Sequence, residues 1–230
     1  MTLAGMVGVI GAMGVAPEAR AQFSGFSLSA EGWSIVSFVD TGSNFSVVGT
    51  YSATFTSSGG NPGGHITTTD PDGGDFTFSA PASFLGNQIG ALGGTLNYDI
   101  RYLGTVNYQS ADVILMGGGL RLLWQSSPVL VPTSSWTAVS VSVAPSGQWH
   151  VGTLGGSLAT TTDFTTVLGS LTGVFIRGEY AFGSDTTSLD NVRFGLVPEP
   201  SSVALLACGI IPVALFLRQR IHPRPGKIGG

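Results

Sequence analysis

Residues 95–102 read TLNYDIRY, and the alternation within them decides the fold. Leu96, Tyr98, Ile100 and Tyr102 share one side of an extended chain, while Asn97, Asp99 and Arg101 share the other. That period of two belongs to a strand with one buried face; a helix would scatter the same apolar residues around its axis. TAVSVSV at 137–143 repeats the pattern with Val139, Val141 and Val143, and DVILM at 112–116 is apolar on both faces, as an inner strand of a sandwich is.

Further strands are expected around 34–39, 51–55, 76–80, 120–124, 174–180 and 190–196. The composition agrees: 35 glycines, many Thr and Ser, and short apolar stretches between turn residues. That many strands in one chain means a sandwich or a barrel. GGGLRL at 117–122 joins two strands as a tight turn; it lacks the Lys-Ser/Thr of a phosphate loop and opens no helix. TTTDFTTVLGSL at 160–171 breaks the alternation. Phe164, Val167, Leu168 and Leu171 fall at helical spacing, so a short helix near 162–170, capped by Thr162 or Asp163, is expected over one end of the sandwich. Residues 56–75, TSSGGNPGGHITTTDPDGGD, read as a long Gly-rich stretch with a strand only at Ile66 to Thr69. No internal repeat appears, so residues 22–196 are expected to form a single antiparallel all-β domain.

The two ends have a different composition. At 197–220 stands VPEPSSVALLACGIIPVALFLRQR, whose uncharged run at 203–217 makes a helix of about 22 Å, short for a bilayer and weakened by Pro212. Arg218, Arg220, Arg224 and Lys227 follow it and assign the tail, 223–230, to the cytoplasm and the domain to the outside. Val197, Pro198, Glu199 and Pro200, then an apolar helix over 203–217, then arginines, resemble the PEP-CTERM sorting signal (197–222). That resemblance implies an exosortase that cuts near the Pro-Glu-Pro after a transient stay in the inner membrane. At the other end LAGMVGVIGAMGVA (3–16) precedes Ala19-Arg20-Ala21, which fits signal peptidase cleavage before Gln22 and a signal peptide over 1–21. No Lys or Arg precedes that apolar run, so the true start is expected upstream of Met1, or insertion relies on the terminal amine.

With cuts before Gln22 and after Glu199, four cations face twelve acids, a formal charge of −8. Such a domain repels nucleic acid. The lone Cys208 lies in the C-terminal run, so the exported part holds no disulfide and no Cys-based metal site.

Laid end to end, FSAPASFLGNQIGALGGTLNYDIRY, ADVILMGGGLRLLW, WTAVSVSV, DFTTVLGSLTGVFIRGEY and SLDNVRF resemble the laminin B module, or laminin domain IV, over about residues 65–194. The marks are Phe84-Leu85-Gly86, Gly93-Gly94-x-Leu96-x-Tyr98, Asp112-Val113, Gly119-Leu120, Trp136-Thr137, Ile176-Arg177 and Leu189-Asp190-Asn191-Val192. The family implies a jelly-roll β-sandwich related to galactose-binding-like modules and a non-enzymatic, extracellular role.

Few residues offer chemistry. His65, in the Gly-rich stretch, reads as a solvated loop residue, and no G-x-S-x-G elbow singles out a serine for a triad. Arg177 and Glu179 share one strand face and read as a surface ion pair. DPDGGD places Asp70, Asp72 and Asp75 around two glycines, a candidate site for a structural calcium, although a solvated acidic turn explains it as well; Asp190 and Asn191 are a weaker candidate. Trp149, after APSGQ in an expected loop, with His150 beside it, is the candidate platform for carbohydrate; Trp33 and Trp136 read as core or rim packing. Two classes of function follow. The first is an exported, non-enzymatic cell-envelope or matrix protein with an adhesive, structural or carbohydrate-binding surface. The alternative is a jelly-roll hydrolase of exopolysaccharide.

Overall fold

A computed structural model describes residues 21–42 and 45–196. The signal run with Ala19, the sorting motif Val197 to Pro200, the apolar run at 203–217 with Cys208, and Arg218, Arg220 and the basic tail lie outside the described residues. Among the described residues no helix is long and apolar enough to cross a membrane.

The strands in chain order are β1 (Gln22–Ser24), β2 (Ser34–Asp40), β3 (Phe45–Ser52), β4 (Thr54–Gly60), β5 (Gly63–Thr69), β6 (Asp75–Ser79), β7 (Thr95–Tyr102), β8 (Val113–Gly117), β9 (Leu120–Trp124), β10 (Thr137–Ser142), β11 (Trp149–Val151), β12 (Leu171–Arg177) and β13 (Thr186–Gly195). They form two sheets. The first runs β10-β7-β13-β5-β4 with β1 also on β13, and the second runs β11-β9-β8-β12-β6-β2-β3. Every pairing is antiparallel. The expected sandwich is present.

The core lies between the sheets, and β7 shows why. Leu96, Tyr98, Ile100 and Tyr102 are 0–2% exposed, whereas Thr95, Asn97, Asp99 and Arg101 are half-buried on the outer side. β8 is buried on both faces because a second apolar cluster, with Val36, Phe38, Ile114, Leu123 and Phe175, sits on the outer side of the second sheet under Phe45 and Leu154. The β8–β9 turn places Gly118 and Gly119 at φ 55° and 77°, the left-handed pair that a two-residue hairpin needs.

β13 carries a register shift between Asp190 and Arg193, with Asn191 at φ 52°. The shift divides the strand: Thr186–Leu189 pair with β5, and Val192–Phe194 pair with β1. The described domain therefore begins and ends on adjacent strands.

Helix α1 (Thr161–Gly169) packs on β8 and β9 and buries Phe164, Val167 and Leu168, as their spacing requires. Its cap is Thr160 rather than Thr162 or Asp163. Thr160 Oγ1 accepts from the Asp163 N–H, and the Asp163 carboxylate accepts from the Thr160 N–H, a capping box.

The 56–75 stretch departs from expectation. It holds most of β4 and all of β5, paired through Thr54–Thr67, Phe55–Ile66 and Thr56–His65. Gly and Ser have low strand propensity, yet pairing of β5 with β13 supplies the order that propensity lacks. His65 is accordingly a buried strand residue, 4% exposed, and not a loop residue.

Arg177 and Glu179 are not a surface ion pair. Both are buried, and Arg177 Nη1 pairs with Asp112 Oδ1 at 3.2 Å, with neither side chain exposed. Its Nε donates to the Glu179 main-chain oxygen at 2.6 Å, and its Nη2 to the Tyr108 carbonyl. The Glu179 carboxylate, crowded by Asp185, Asp70 and Asp75, is pushed up to about 8, burial being the largest cause.

Candidate functional site

Polar side chains line the outer face of the first sheet. Because β7, β10 and β13 each turn apolar residues inward, their alternate positions present Asn97 and Asp99, Ala138 and Ser140, and Asn191 and Arg193 to one shared cleft of about 290 Å³. These side chains are two amides, one hydroxyl, one methyl and a carboxylate, with one guanidinium.

The carboxylate is held in place. Asp99 Oδ2 accepts from Asn191 Nδ2 at 2.8 Å and from Asn61 Nδ2 at 3.1 Å, and Asn191 Nδ2 also reaches the Asn61 carbonyl. Asn61 is fixed in turn, because its N–H donates to Asp190 Oδ2 at 2.6 Å, while the Asn191 N–H donates to Asp190 Oδ1 at 2.7 Å. Burial pushes the Asp190 carboxyl up, against those two backbone donors. The β13 register shift is what brings Asp190 and Asn191 to adjoining positions on this face.

Beside the cleft, Arg101 lies over the Trp136 ring, 4.6 Å from its centroid, and His65 meets that ring edge-on at 5.5 Å. Arg101 Nη1 and Trp136 Nε1 both donate to the Gly59 carbonyl, at 3.3 and 3.1 Å. Arg101 Nη2 donates to His65 Nε2 at 3.2 Å, which requires an unprotonated Nε2. Burial and the Arg101 charge both hold the His65 pKa below its ordinary value, so the ring is neutral near pH 7. The ring of Trp136 thus supports Arg101 and stiffens the margin of the cleft. The Asn61 and Asn191 amides are spent on Asp99 and on each other, so what the array holds out to a ligand rich in hydroxyls is Asp99 Oδ1 with the Asn97, Ser140 and Arg193 side chains, at low entropic cost.

The residues singled out from sequence lie elsewhere. Trp149 is no platform: it is 0% exposed on β11 opposite Trp124, packs edge-on to Phe164 at 5.3 Å, and donates from Nε1 to the Ser142 carbonyl at 2.8 Å. A buried ring has no face to offer a sugar. His150 is half-buried, its Nδ1 donating to the Gly156 carbonyl at 3.0 Å.

Asp70, Asp72 and Asp75 are not assembled as a ligand set, and among the described residues no three His, Cys, Asp or Glu side chains are grouped to hold a metal ion. Their oxygens serve protein donors instead. Asp72 accepts from Ser37 Oγ at 2.5 Å, Tyr51 Oη at 2.8 Å and the Gly74 N–H at 2.8 Å; Asp70 accepts from the Asp72 N–H, and Asp75 from Tyr108 Oη at 2.7 Å. Burial raises the Asp72 carboxyl, but the bonds from Ser37, Gly74 and Tyr51 outweigh it and leave the pKa below the usual carboxylate range. Of the signal-cleavage residues, Ala21 is exposed and Gln22 opens β1.

Of the cleft residues the sequence marks only Asn191, as a weak metal candidate beside Asp190, because Asn97 and Asp99 look like any solvated strand face. The available signal was their coincidence with outward Ser140 and Arg193 once β7 is flanked by β10 and β13.

The laminin B (domain IV) family model matches residues 77–204, more than half of the chain. Among solved structures, the L4b domain of human laminin alpha-2 is similar with TM-score 0.57 at 17% identity, covering 79% of this chain and 99% of that one. The carbohydrate-binding module CtCBM11 gives TM-score 0.45 at 14% identity over 80% of this chain and 100% of that one. An exo-beta-agarase gives TM-score 0.44 at 10% identity over 76% of this chain and 25% of that one. No curated protein matches. With the sandwich, the helix at its end and the DNV register shift all inside or beside the matched span, the chain belongs to the laminin B (domain IV) family.

Proposed function

We propose that this chain is an exported, non-catalytic module of the cell envelope or extracellular matrix that binds polysaccharide on the outer face of its first sheet. The observation that carries the reading is the ordered array of Asp99, Asn61 and Asn191 beside an open cleft with Asn97, Ser140 and Arg193. An extended glycan presents repeated hydroxyls as both donors and acceptors, which such an array pairs. The formal charge of −8 on the chain cut after Glu199 disfavours nucleic acid as the partner.

Delivery is part of the same proposal. Signal peptidase cuts after Ala21, the segment at 203–217 holds the protein in the inner membrane with its domain outside, and exosortase cuts near Pro198-Glu199-Pro200. The start of β1 at Gln22 and its pairing with β13 support this, since both cuts then fall just outside one pair of strands. The test is retention on exopolysaccharide from the native envelope. Wild type is retained, and Asn97→Ala with Arg193→Ala lowers retention at least tenfold without a change in unfolding midpoint. Unchanged retention in that double variant overturns the assignment of the face.

A further inference from the structure

The outer side of the second sheet carries a different cavity. It is a pocket of about 220 Å³ with an apolar floor of Phe38, Ile114 and Leu123 and polar walls that include Asp40, Asp75 and Tyr108. The floor is 2–4% exposed although it lies on the outer side of a sheet. At about 220 Å³ the pocket is smaller than the 290 Å³ cleft and is of a size for one ring.

Its two carboxylates differ. Asp40 is paired with Arg121 at 3.1 Å, and the rest of that guanidinium is taken up by the Gly42 and Gly152 carbonyls at 3.2 and 2.7 Å. Asp75 has no such cation: its side-chain donor is the Tyr108 hydroxyl, and the charged groups near it are Asp40 and Glu179, which repel it when ionised, and Arg177, which is committed to Asp112. The wall is nonetheless rigid, because Arg177 holds the Tyr108 carbonyl and Phe182 packs edge-on to the Tyr108 ring at 4.9 Å. A half-buried carboxylate gains most from a ligand that brings a positive charge.

We propose that this pocket takes the ring of a hexosamine with a free amine, its ammonium group on Asp75 and its ring carbons on Phe38, Ile114 and Leu123. The inference rests on the polysaccharide reading and names the sugar class of a second subsite. A lysine side chain from a partner protein has the same charge, but it is a linear chain that must freeze several rotors and leaves the floor partly uncovered.

Calorimetric titration of the domain at about pH 6, below the ordinary range of an amine, tests it with four probes. These are a glucosamine tetramer with free amines, its N-acetylated counterpart, a neutral glucose tetramer and an N-acetyl-lysine amide. The free-amine tetramer binds at least tenfold more tightly than the N-acetylated one, and rising salt narrows the gap. Asp75→Asn keeps an acceptor for Tyr108 and erases the preference; Tyr108→Phe keeps the carboxylate and retains it. Equal binding of the two glucosamine tetramers, or a lysine derivative that matches the free-amine sugar, overturns the proposal. So does release of shorter sugars, which marks a hydrolase. If the neutral tetramer binds and the free-amine one gains nothing, or if no tetramer binds, the pocket fails, while the first-sheet reading stands or falls by retention on native exopolysaccharide.

Discussion

Arg177 and Asp112 form an ion pair in the interior of the second sheet, with Nη1 and Oδ1 3.2 Å apart and no solvent on either side chain. Each partner has further ties: Asp112 Oδ2 accepts from the Ser126 N–H and hydroxyl, and Arg177 stacks over the Tyr180 ring at 4.3 Å. The pair costs desolvation to form, and its removal by halves leaves a naked charge. Arg177→Met is expected to destabilise by about 3–5 kcal/mol in urea unfolding, and Asp112→Asn in the same chain restores part of that loss.

Glu179 makes the fold sensitive to alkali. Its carboxyl lies about 8 in the folded protein against an ordinary 4.5, so between those values the folded state holds a proton that the unfolded state has released. Its contribution to stability is therefore present below about pH 4.5 and lost as pH rises toward about 8. Glu179→Gln removes this titration, and unfolding midpoints measured across that range should fall less steeply in the variant than in wild type.

Tyr98 separates packing from hydrogen bonding. The ring is 1% exposed, and the hydroxyl is buried without a hydrogen-bond partner. Tyr98→Phe should be neutral or slightly stabilising, since it removes an unpaired polar group. Tyr98→Asp puts an unpaired carboxylate in the core and is expected to cost more than about 4 kcal/mol. Thermal melts of the two variants distinguish the effects.

For the acidic turn, millimolar calcium is expected to leave the melting temperature unchanged. A site filled to about 100 times its dissociation constant would raise stability by about 2.7 kcal/mol, which a melt resolves easily. Asp72→Ala destabilises all the same, by loss of the bonds from Ser37, Tyr51 and Gly74. Because those bonds depress the Asp72 pKa, their contribution is present above the unfolded value, about 3.9, and is lost as pH falls through the folded one.

What was legible in the chain was local. Leu96, Tyr98, Ile100 and Tyr102 announce their face because the strand period acts within eight residues, and Phe164, Val167 and Leu168 announce a helix face in the same way. His65, Arg177 and Trp149 were misplaced because their surroundings come from remote segments: Arg101 for His65, Asp112 for Arg177, and Phe164 and Ser142 for Trp149. The turn at Asp70 to Asp75 was recognisable as a turn, yet its destination was set by Ser37 and Tyr51, which lie 35 and 21 residues from Asp72. The cleft was the least legible feature, because Asn97, Ser140 and Arg193 become neighbours only through strand order.

The central claim is that the outer face of the first sheet binds glycan and leaves it intact. Titration of exopolysaccharide fragments into the nitrogen-labelled domain, followed by amide shifts while reducing ends are counted, measures both parts at once. Shifts concentrated at Asn97, Asp99, Ser140, Asn191 and Arg193, with a constant number of reducing ends, are the predicted result. Absence of shifts on that face, or reducing ends that accumulate with time, would contradict it.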